Sequence, residues 1–117
     1  MRRSGLVRLL QRAAAGGALL AAASALPVQA DDGARLALGK KLFTTVAPPC
    51  ALCHTLKDAG TAGKLGPPLD ELKPDADQVR TALREGVGVM PSYREKLSED
   101  DIRALAHYVS RVTGGAK

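Results

Sequence analysis

The chain has 117 residues, two cysteines, no tryptophan and a formal net charge of +5. Four of its 17 basic residues and none of its 12 acidic residues precede Ala30, so residues 31–117 have a net charge of +1. A near-neutral chain of this length, without a Lys/Arg cluster interleaved with aromatic residues, indicates a single domain and argues against nucleic-acid binding.

Residues 1–30 have the three parts of a secretory signal peptide. Arginines precede the uncharged apolar run Ala13–Leu26, and Val28-Gln29-Ala30 offers small residues at a cleavage site. The run has 14 residues, fewer than the ~20 that span a bilayer. We therefore predict cleavage after Ala30, a periplasmic location, no stable membrane insertion of the mature chain, and one folded domain of residues 31–117.

The first helix is predicted over Asp32–Thr44, capped by Asp31 or Asp32 and ended by Pro48-Pro49. Three positions at spacings of three and four can share its buried face: Leu36, Gly39 and Phe43.

The stretch Lys57–Pro74 is rich in glycine and proline and is predicted to be a loop. A second helix is predicted over Asp75–Glu85, stopped by Gly86. The last helix is predicted to open at Ser98, with Asp101 completing a capping box and Gly114-Gly115 ending it. Alternation of period two is nowhere sustained, so we expect an all-α domain without a sheet.

The segment Cys50-Ala51-Leu52-Cys53-His54 has the C-x-x-C-H pattern of covalent c-type haem attachment. One short turn separates the two thiols, so each can add to a vinyl group of one porphyrin, and His54 is placed as the proximal iron ligand. The small aromatic content, one Phe and two Tyr, also favours a core built around a cofactor.

Three other arrangements of the cysteines fit less well. A thioredoxin-like pair would have strands around it and would leave His54 unexplained. A zinc site needs four ligands, and the chain beyond Ala30 offers only Cys50, Cys53, His54 and the remote His107. A disulfide across two intervening residues would be strained.

Met90 is the candidate for the second iron ligand. It is the only methionine after Ala30, and it lies in a Gly/Val loop before Pro91. A methionine more often fills a gap in a core, and the preference for a ligand depends on the C-x-x-C-H motif. His107, in the last helix, is the competing ligand.

The sequence resembles the class I c-type cytochromes over essentially all of residues 31–117. Besides the haem motif, Gly66-Pro67-Pro68-Leu69 matches the family's G-P-x-L element and Val89-Met90-Pro91 its M-P element. The resemblance implies that the Pro67 carbonyl accepts a hydrogen bond from the His54 ring and that the Met90 sulfur binds iron. It thus gives the haem c site as Cys50, Cys53, His54, Pro67 and Met90.

The resemblance also implies a cytochrome c fold, with three to four helices around one haem and the first and last helices crossing at Gly39. Gly39, Phe43, Leu105 and Tyr108 match the family's crossing residues. The chain between His54 and Met90 is short, so one haem edge should be more exposed. Tyr93 is either an aromatic near the haem propionates or a surface tyrosine.

These residues indicate an electron carrier and not an enzyme. The segments Gly66–Pro74 and Val87–Pro91 are similar to small cytochrome subunits of sulfite dehydrogenases. The expected partners are redox proteins: a periplasmic dehydrogenase, a terminal oxidase or another cytochrome. The protein itself is expected to be a monomer or one subunit of a heterodimer. The alternative is a haem protein with a labile sixth ligand that binds or turns over a small molecule.

Overall fold

The computed structural model describes residues 16–24 and 28–117, with the backbone alone at residues 28–30. Residues 16–24 are exposed and form neither helix nor strand. The rest of the described chain is mostly helical. Its elements are α1 (Val28–Thr45), α2 (Cys50–Cys53), β1 (Thr55–Leu56), a 3-10 helix (Lys57–Ala59), β2 (Thr61–Ala62), α3 (Leu69–Leu72), α4 (Ala76–Glu85) and α5 (Glu99–Thr113).

The first helix begins earlier than predicted. Because α1 starts at Val28, Asp31 and Asp32 lie inside it, and the prediction that one of them caps the helix is wrong. Asp31 instead accepts a hydrogen bond of 3.1 Å from Arg35, one turn further along. Of the predicted signal peptide, residues 1–15 and 25–27 lie outside the described residues, and cleavage after Ala30 stays a prediction.

Helices α1 and α5 cross at a glycine. A Cβ on Gly39 would collide with the Ala104 carbonyl and the Tyr108 Cβ, so only glycine permits this approach. One turn further, the Phe43 and Tyr108 rings meet edge to face, with centroids 6.2 Å apart and planes at 67°. Such aromatic pairs add stability beyond the area that they bury. The first and last helices of the domain therefore form one unit.

Both longer downstream helices start with capping boxes; the one at Ser98 confirms a prediction, and the one at Asp75 was not predicted. The Asp75 side chain accepts from the Gln78 amide while Gln78 accepts from the Asp75 amide, each at 2.9 Å. Ser98 and Asp101 make the same exchange at the start of α5. The core beneath these helices consists of Phe43, Val46, Cys50, Leu56, Leu69, Leu83, Tyr93, Leu97, Ile102, Leu105, Tyr108 and Val109.

The stretch that follows the cysteine motif is more ordered than predicted. β1 and β2 pair antiparallel, with Thr55 opposite Ala62 and Leu56 opposite Thr61, so the expectation of no sheet is wrong at this point. The predicted loop Lys57–Pro74 also contains the 3-10 helix and α3. Strands of two residues are too short to show alternation. The part of the chain that the structure describes has five α-helices, more than the predicted three to four, because α2 and α3 are single turns.

None of the helices in residues 16–24 and 28–117 is both long and apolar enough to cross a bilayer.

Candidate functional site

Helix α2 presents the two thiols and the imidazole from a single turn. Pro49 precedes it in extended conformation, and the His54 amide donates to the Cys50 carbonyl at 2.9 Å, closing the turn. Cys50 is 9% exposed, Cys53 is half-buried, and neither forms a disulfide. The backbone then becomes extended at His54, which ends the helix directly after Cys53.

The imidazole of His54 is held by a backbone carbonyl. Its Nδ1 lies 2.8 Å from the Pro67 carbonyl oxygen, which is the contact that the resemblance implies. A carbonyl only accepts, so Nδ1 carries the proton and Nε2 keeps a lone pair for a metal. A Cβ on Gly66 would lie 2.5 Å from His54 Cε1, so glycine is needed for the ring to lie there.

The short β-ladder fixes the backbone of the site. The Thr61 hydroxyl donates to the His54 carbonyl at 2.9 Å and accepts from the Leu56 amide at 3.1 Å. Thr55 donates to the Gly63 carbonyl at 3.0 Å, and the Gly66 amide donates to the Cys53 carbonyl at 2.8 Å. Neither threonine was predicted to belong to the site, because a single Thr carries no periodic signal.

Met90 lies at the end of a tight loop after α4. Gly86 and Gly88 have φ of +72° and +55°, which favour glycine. Val87 and Met90 exchange backbone hydrogen bonds of 3.1 and 2.9 Å. Met90 is half-buried against the core cluster. The loop is a small closed unit that carries the thioether at its last residue.

Tyr93 is a buried residue, and the interpretation as a surface tyrosine is wrong. Only 3% of it is exposed, and its hydroxyl donates to the Pro48 carbonyl at 2.6 Å. Burial is the main cause that raises the pKa of Tyr93 to about 12, with smaller contributions from the thiols of Cys50 and Cys53. The hydroxyl therefore remains a proton donor at neutral pH.

The cysteine environment argues against a redox-active dithiol. Burial raises the pKa of the Cys50 thiol to about 11, whereas redox-active pairs have a lowered thiol pKa. Within residues 16–24 and 28–117, no three or more His, Cys, Asp or Glu side chains are grouped so that they could hold a metal ion.

His107 is engaged at the crossing of α1 and α5. Its Nε2 lies 2.5 Å from Asp32 Oδ1, and Arg111 Nη2 lies 3.5 Å from Asp32 Oδ2. The competing iron ligand of the sequence analysis thus has a carboxylate partner on its ring.

The residues present fit a covalently attached haem. Two free thiols, an imidazole nitrogen and a thioether are the groups that covalent attachment and two iron bonds require. Four apolar side chains on the segments that carry His54 and Met90 are exposed, and a flat apolar cofactor would cover such side chains: Leu52, Leu65, Val87 and Val89.

Comparison with known proteins agrees with this geometry. Residues 34–109 match the family described as "Cytochrome C oxidase, cbb3-type, subunit III". The chain is also 34% identical to cytochrome c6 of Cladophora glomerata over 89 residues, which cover 67% of this chain and 89% of that protein. The chain belongs to the cytochrome c family. The resemblance to small class I c-type cytochromes is thereby confirmed.

Two further relatives differ in size. The c-type cytochrome SorU of Sinorhizobium meliloti, known from a crystal structure, shares 52% identity and a TM-score of 0.68, and the match covers 73% of this chain and 98% of that chain. The cbb3-type cytochrome c oxidase subunit CcoP of Azospirillum sp. (strain B510) is 33% identical over 97 residues, or 74% of this chain. This cytochrome spans about a third of CcoP, 32% of its length.

Membership of the family establishes the cofactor and the general role. Members of the cytochrome c family bind haem c covalently, with its iron. They transfer electrons, and the cytochrome is an electron carrier and not an enzyme.

Proposed function

We propose that this cytochrome is a periplasmic carrier of one electron, on a haem c attached through Cys50 and Cys53 and ligated by His54 and Met90. The observation that carries the proposal is the hydrogen bond of 2.8 Å between His54 Nδ1 and the Pro67 carbonyl. It leaves Nε2 as the metal-binding atom of a ring that Gly66 and Pro67 hold in one orientation.

The protein's part in electron transfer is to supply two fixed ligands and an apolar surround. When bound, haem supplies an iron that gains and loses one electron, at a potential that His/Met ligation raises. His54 is oriented by Pro67, and Met90 is presented by a hydrogen-bonded loop. With His54 and Met90 both holding the iron, no position would be left for a substrate at the metal, and the cytochrome would pass electrons to a partner protein.

The likeness to SorU, a c-type cytochrome, supports an electron carrier. The match covers 98% of SorU, a whole c-type cytochrome chain, but only 32% of CcoP. We propose a soluble carrier or the cytochrome subunit of a periplasmic dehydrogenase such as a sulfite dehydrogenase. Its partners would be that dehydrogenase, a terminal oxidase or another cytochrome, and it would act as a monomer or in a heterodimer.

The proposed location rests on residues 1–30. Expression of the full chain with a haem-attachment system should yield a periplasmic protein whose first residue is Asp31. Amino-terminal sequencing of the periplasmic fraction tests this, and retention of residues 1–30 in the membrane fraction would contradict it.

The first test of the ligand set is an optical spectrum of the purified protein, oxidised and then reduced with dithionite. His54/Met90 ligation predicts the weak sulfur-to-iron band at the red end of the spectrum when oxidised, and its loss on reduction. A high-spin spectrum without that band, with carbon monoxide binding to the reduced protein, would favour the ligand-binding or peroxidatic alternative.

The variant Met90→Ala tests the sixth ligand directly. Haem should stay covalently bound, because Cys50 and Cys53 hold it, while the reduction potential falls and the iron accepts exogenous ligands. Leu38→Ala is the matched control, since that partly exposed apolar side chain lies on α1, away from the segments that carry His54 and Met90. If Met90→Ala keeps the low-spin spectrum and the wild-type potential, the assignment is wrong and His107 is the next residue to replace.

A further inference from the structure

The loop that carries Met90 is tied mainly to its own helix. The Tyr93 amide donates to the Leu83 carbonyl at 2.7 Å, and the Ser92 hydroxyl donates to the Arg84 carbonyl at 2.5 Å. Arg94 pairs with Glu85 at 2.5 Å. These three contacts hold the loop against α4, but they do not fix its position relative to Cys50 and Cys53.

Two hydrogen bonds join this region to the segment that leads into Cys50. Lys96 Nζ donates to the Ala47 carbonyl at 2.9 Å, but from an exposed side chain. The Tyr93 hydroxyl donates to the Pro48 carbonyl at 2.6 Å from a ring that is almost fully buried. Pro48 lies two residues before Cys50 and 45 residues from Tyr93, so the phenol links the methionine side of the site to the thiol side.

We propose that the Tyr93 hydroxyl is a positioning group that keeps the Met90 loop closed against the Cys50 segment and thereby controls how readily an external ligand displaces Met90. The inference rests on the proposed function, in which Met90 is the second iron ligand. Tyr93 itself touches neither iron nor substrate in this assignment; it acts through the loop.

The physical basis is a local opening equilibrium. Loops with few anchoring contacts open with a free energy well below that of global unfolding. The hydrogen bonds within the Met90 loop and from it to α4 do not oppose movement of the loop away from the Cys50 segment, whereas the Tyr93 hydrogen bond to Pro48 does. Each hydrogen bond made only in the closed state lowers the open population, and one buried bond changes that population on the order of fivefold.

Tyr93→Phe is the decisive variant, and the chain offers a matched control. The only other tyrosine, Tyr108, also donates a hydrogen bond of 2.6 Å, to Asp58 next to the α1–α5 crossing. Tyr108→Phe thus removes the same atom and the same kind of bond away from the Met90 loop. Both variants are prepared as full-length, haem-loaded proteins.

The readout is competition for the iron, not stability. Imidazole is titrated into the oxidised protein while the sulfur-to-iron band is followed, and helical circular dichroism gives the global unfolding midpoint. We expect Tyr93→Phe to bind imidazole about fivefold more tightly than wild type, while Tyr108→Phe binds it as wild type does. A merely structural role predicts that imidazole affinity follows the unfolding midpoint in both variants.

Each remaining outcome is decisive. Unchanged imidazole affinity in Tyr93→Phe, or equal gains in both variants, overturns the positioning role and leaves the proposed function intact. Absence of the sulfur-to-iron band in the wild type overturns Met90 ligation and the inference with it.

If Tyr93→Phe does not accumulate as folded protein, amide hydrogen exchange of the wild type decides. If the Met90 and His54 amides exchange with the same opening free energy, the two segments open together, and the proposed link through Tyr93 is supported. Opening of the Met90 loop independently of His54 overturns it.

Discussion

At the scale of single residues, the absence of a side chain matters as much as its presence. Gly66 leaves room for the His54 ring, and Gly39 leaves room for the Ala104 carbonyl. The resemblance to class I cytochromes predicts a close helix crossing at Gly39, and the structure confirms it. The burial of Tyr93 could not be read from the sequence, because its hydrogen-bond partner lies 45 residues away.

Gly39→Ala tests the crossing. The added Cβ would meet a backbone carbonyl and a Cβ, neither of which can rotate away, so we expect a loss of about 3 kcal/mol of unfolding free energy. Gly33→Ala on the same helix is the control, since nothing lies within 4 Å of its Cβ position. That variant should gain up to ~1 kcal/mol. Guanidinium unfolding followed by circular dichroism measures both, and similar values for the two would refute the packing described.

Asp58 should contribute stability that depends on pH. The Tyr108 hydroxyl, at 2.6 Å, and then the Lys40 ammonium, at 3.3 Å, lower the pKa of its carboxyl. Because the carboxyl has a lower pKa in the folded state, it adds its full contribution to the free energy of unfolding above the ordinary aspartate pKa of about 4. That contribution is lost as the pH falls through the lowered pKa.

Asp58→Asn should therefore be less stable than wild type at neutral pH, with a difference that shrinks on acidification. Unfolding curves at a series of pH values from neutral to about 2 measure it. Glu95→Gln, at an exposed position in the turn before α5, is the control. If the stability difference between Asp58→Asn and wild type does not change with pH, the charge of the Asp58 carboxylate does not stabilise the folded state.

At the scale of elements, helix starts were predictable where the signal is local. The starts of α4 and α5 follow from capping boxes that span four residues. The start of α1 could not be predicted, because Asp32 resembles a capping residue in the sequence but pairs with His107 on α5. The strands were missed because two residues show no period, and their register depends on Thr55 and Thr61 reaching across the ladder.

Ser98→Ala should remove the cap of α5. The side chain accepts from the Asp101 amide at 3.1 Å, and replacement of such caps costs about 1 kcal/mol. Ser98→Thr keeps the hydroxyl and should restore most of the loss. Chemical denaturation of the three proteins measures it; a Thr variant as unstable as the Ala variant would contradict a capping role.

At the scale of the whole molecule, the charge beyond Ala30 is close to balanced at +1. The segments around the site add little to this, because residues 86–92 carry no charge. Many charges of the described chain are also paired with opposite ones at short range, such as Arg84 with Glu99 at 2.5 Å. Long-range steering of a partner should therefore be weak.

The rate at which a redox partner reduces the cytochrome should accordingly change only modestly with ionic strength. Stopped-flow reduction across a series of salt concentrations measures it, with an uncharged small-molecule reductant as the control for changes at the haem itself. A steep fall in the partner's rate with added salt would instead reveal a local ring of basic residues, with Lys57, Lys64 and Lys96 as the first to replace.

The crossing of α1 with α5 also sets an order of events for a chain that is synthesised from its amino end. Gly39 meets Tyr108, so the core cannot close until α5, the last helix, has emerged. Cys50 and Cys53 are synthesised well before that, when Leu105 and Val109, which share a core with Cys50, do not yet exist. The topology thus gives the growing chain a period in which both sulfurs are exposed and can react. That period ends when α5 packs against α1.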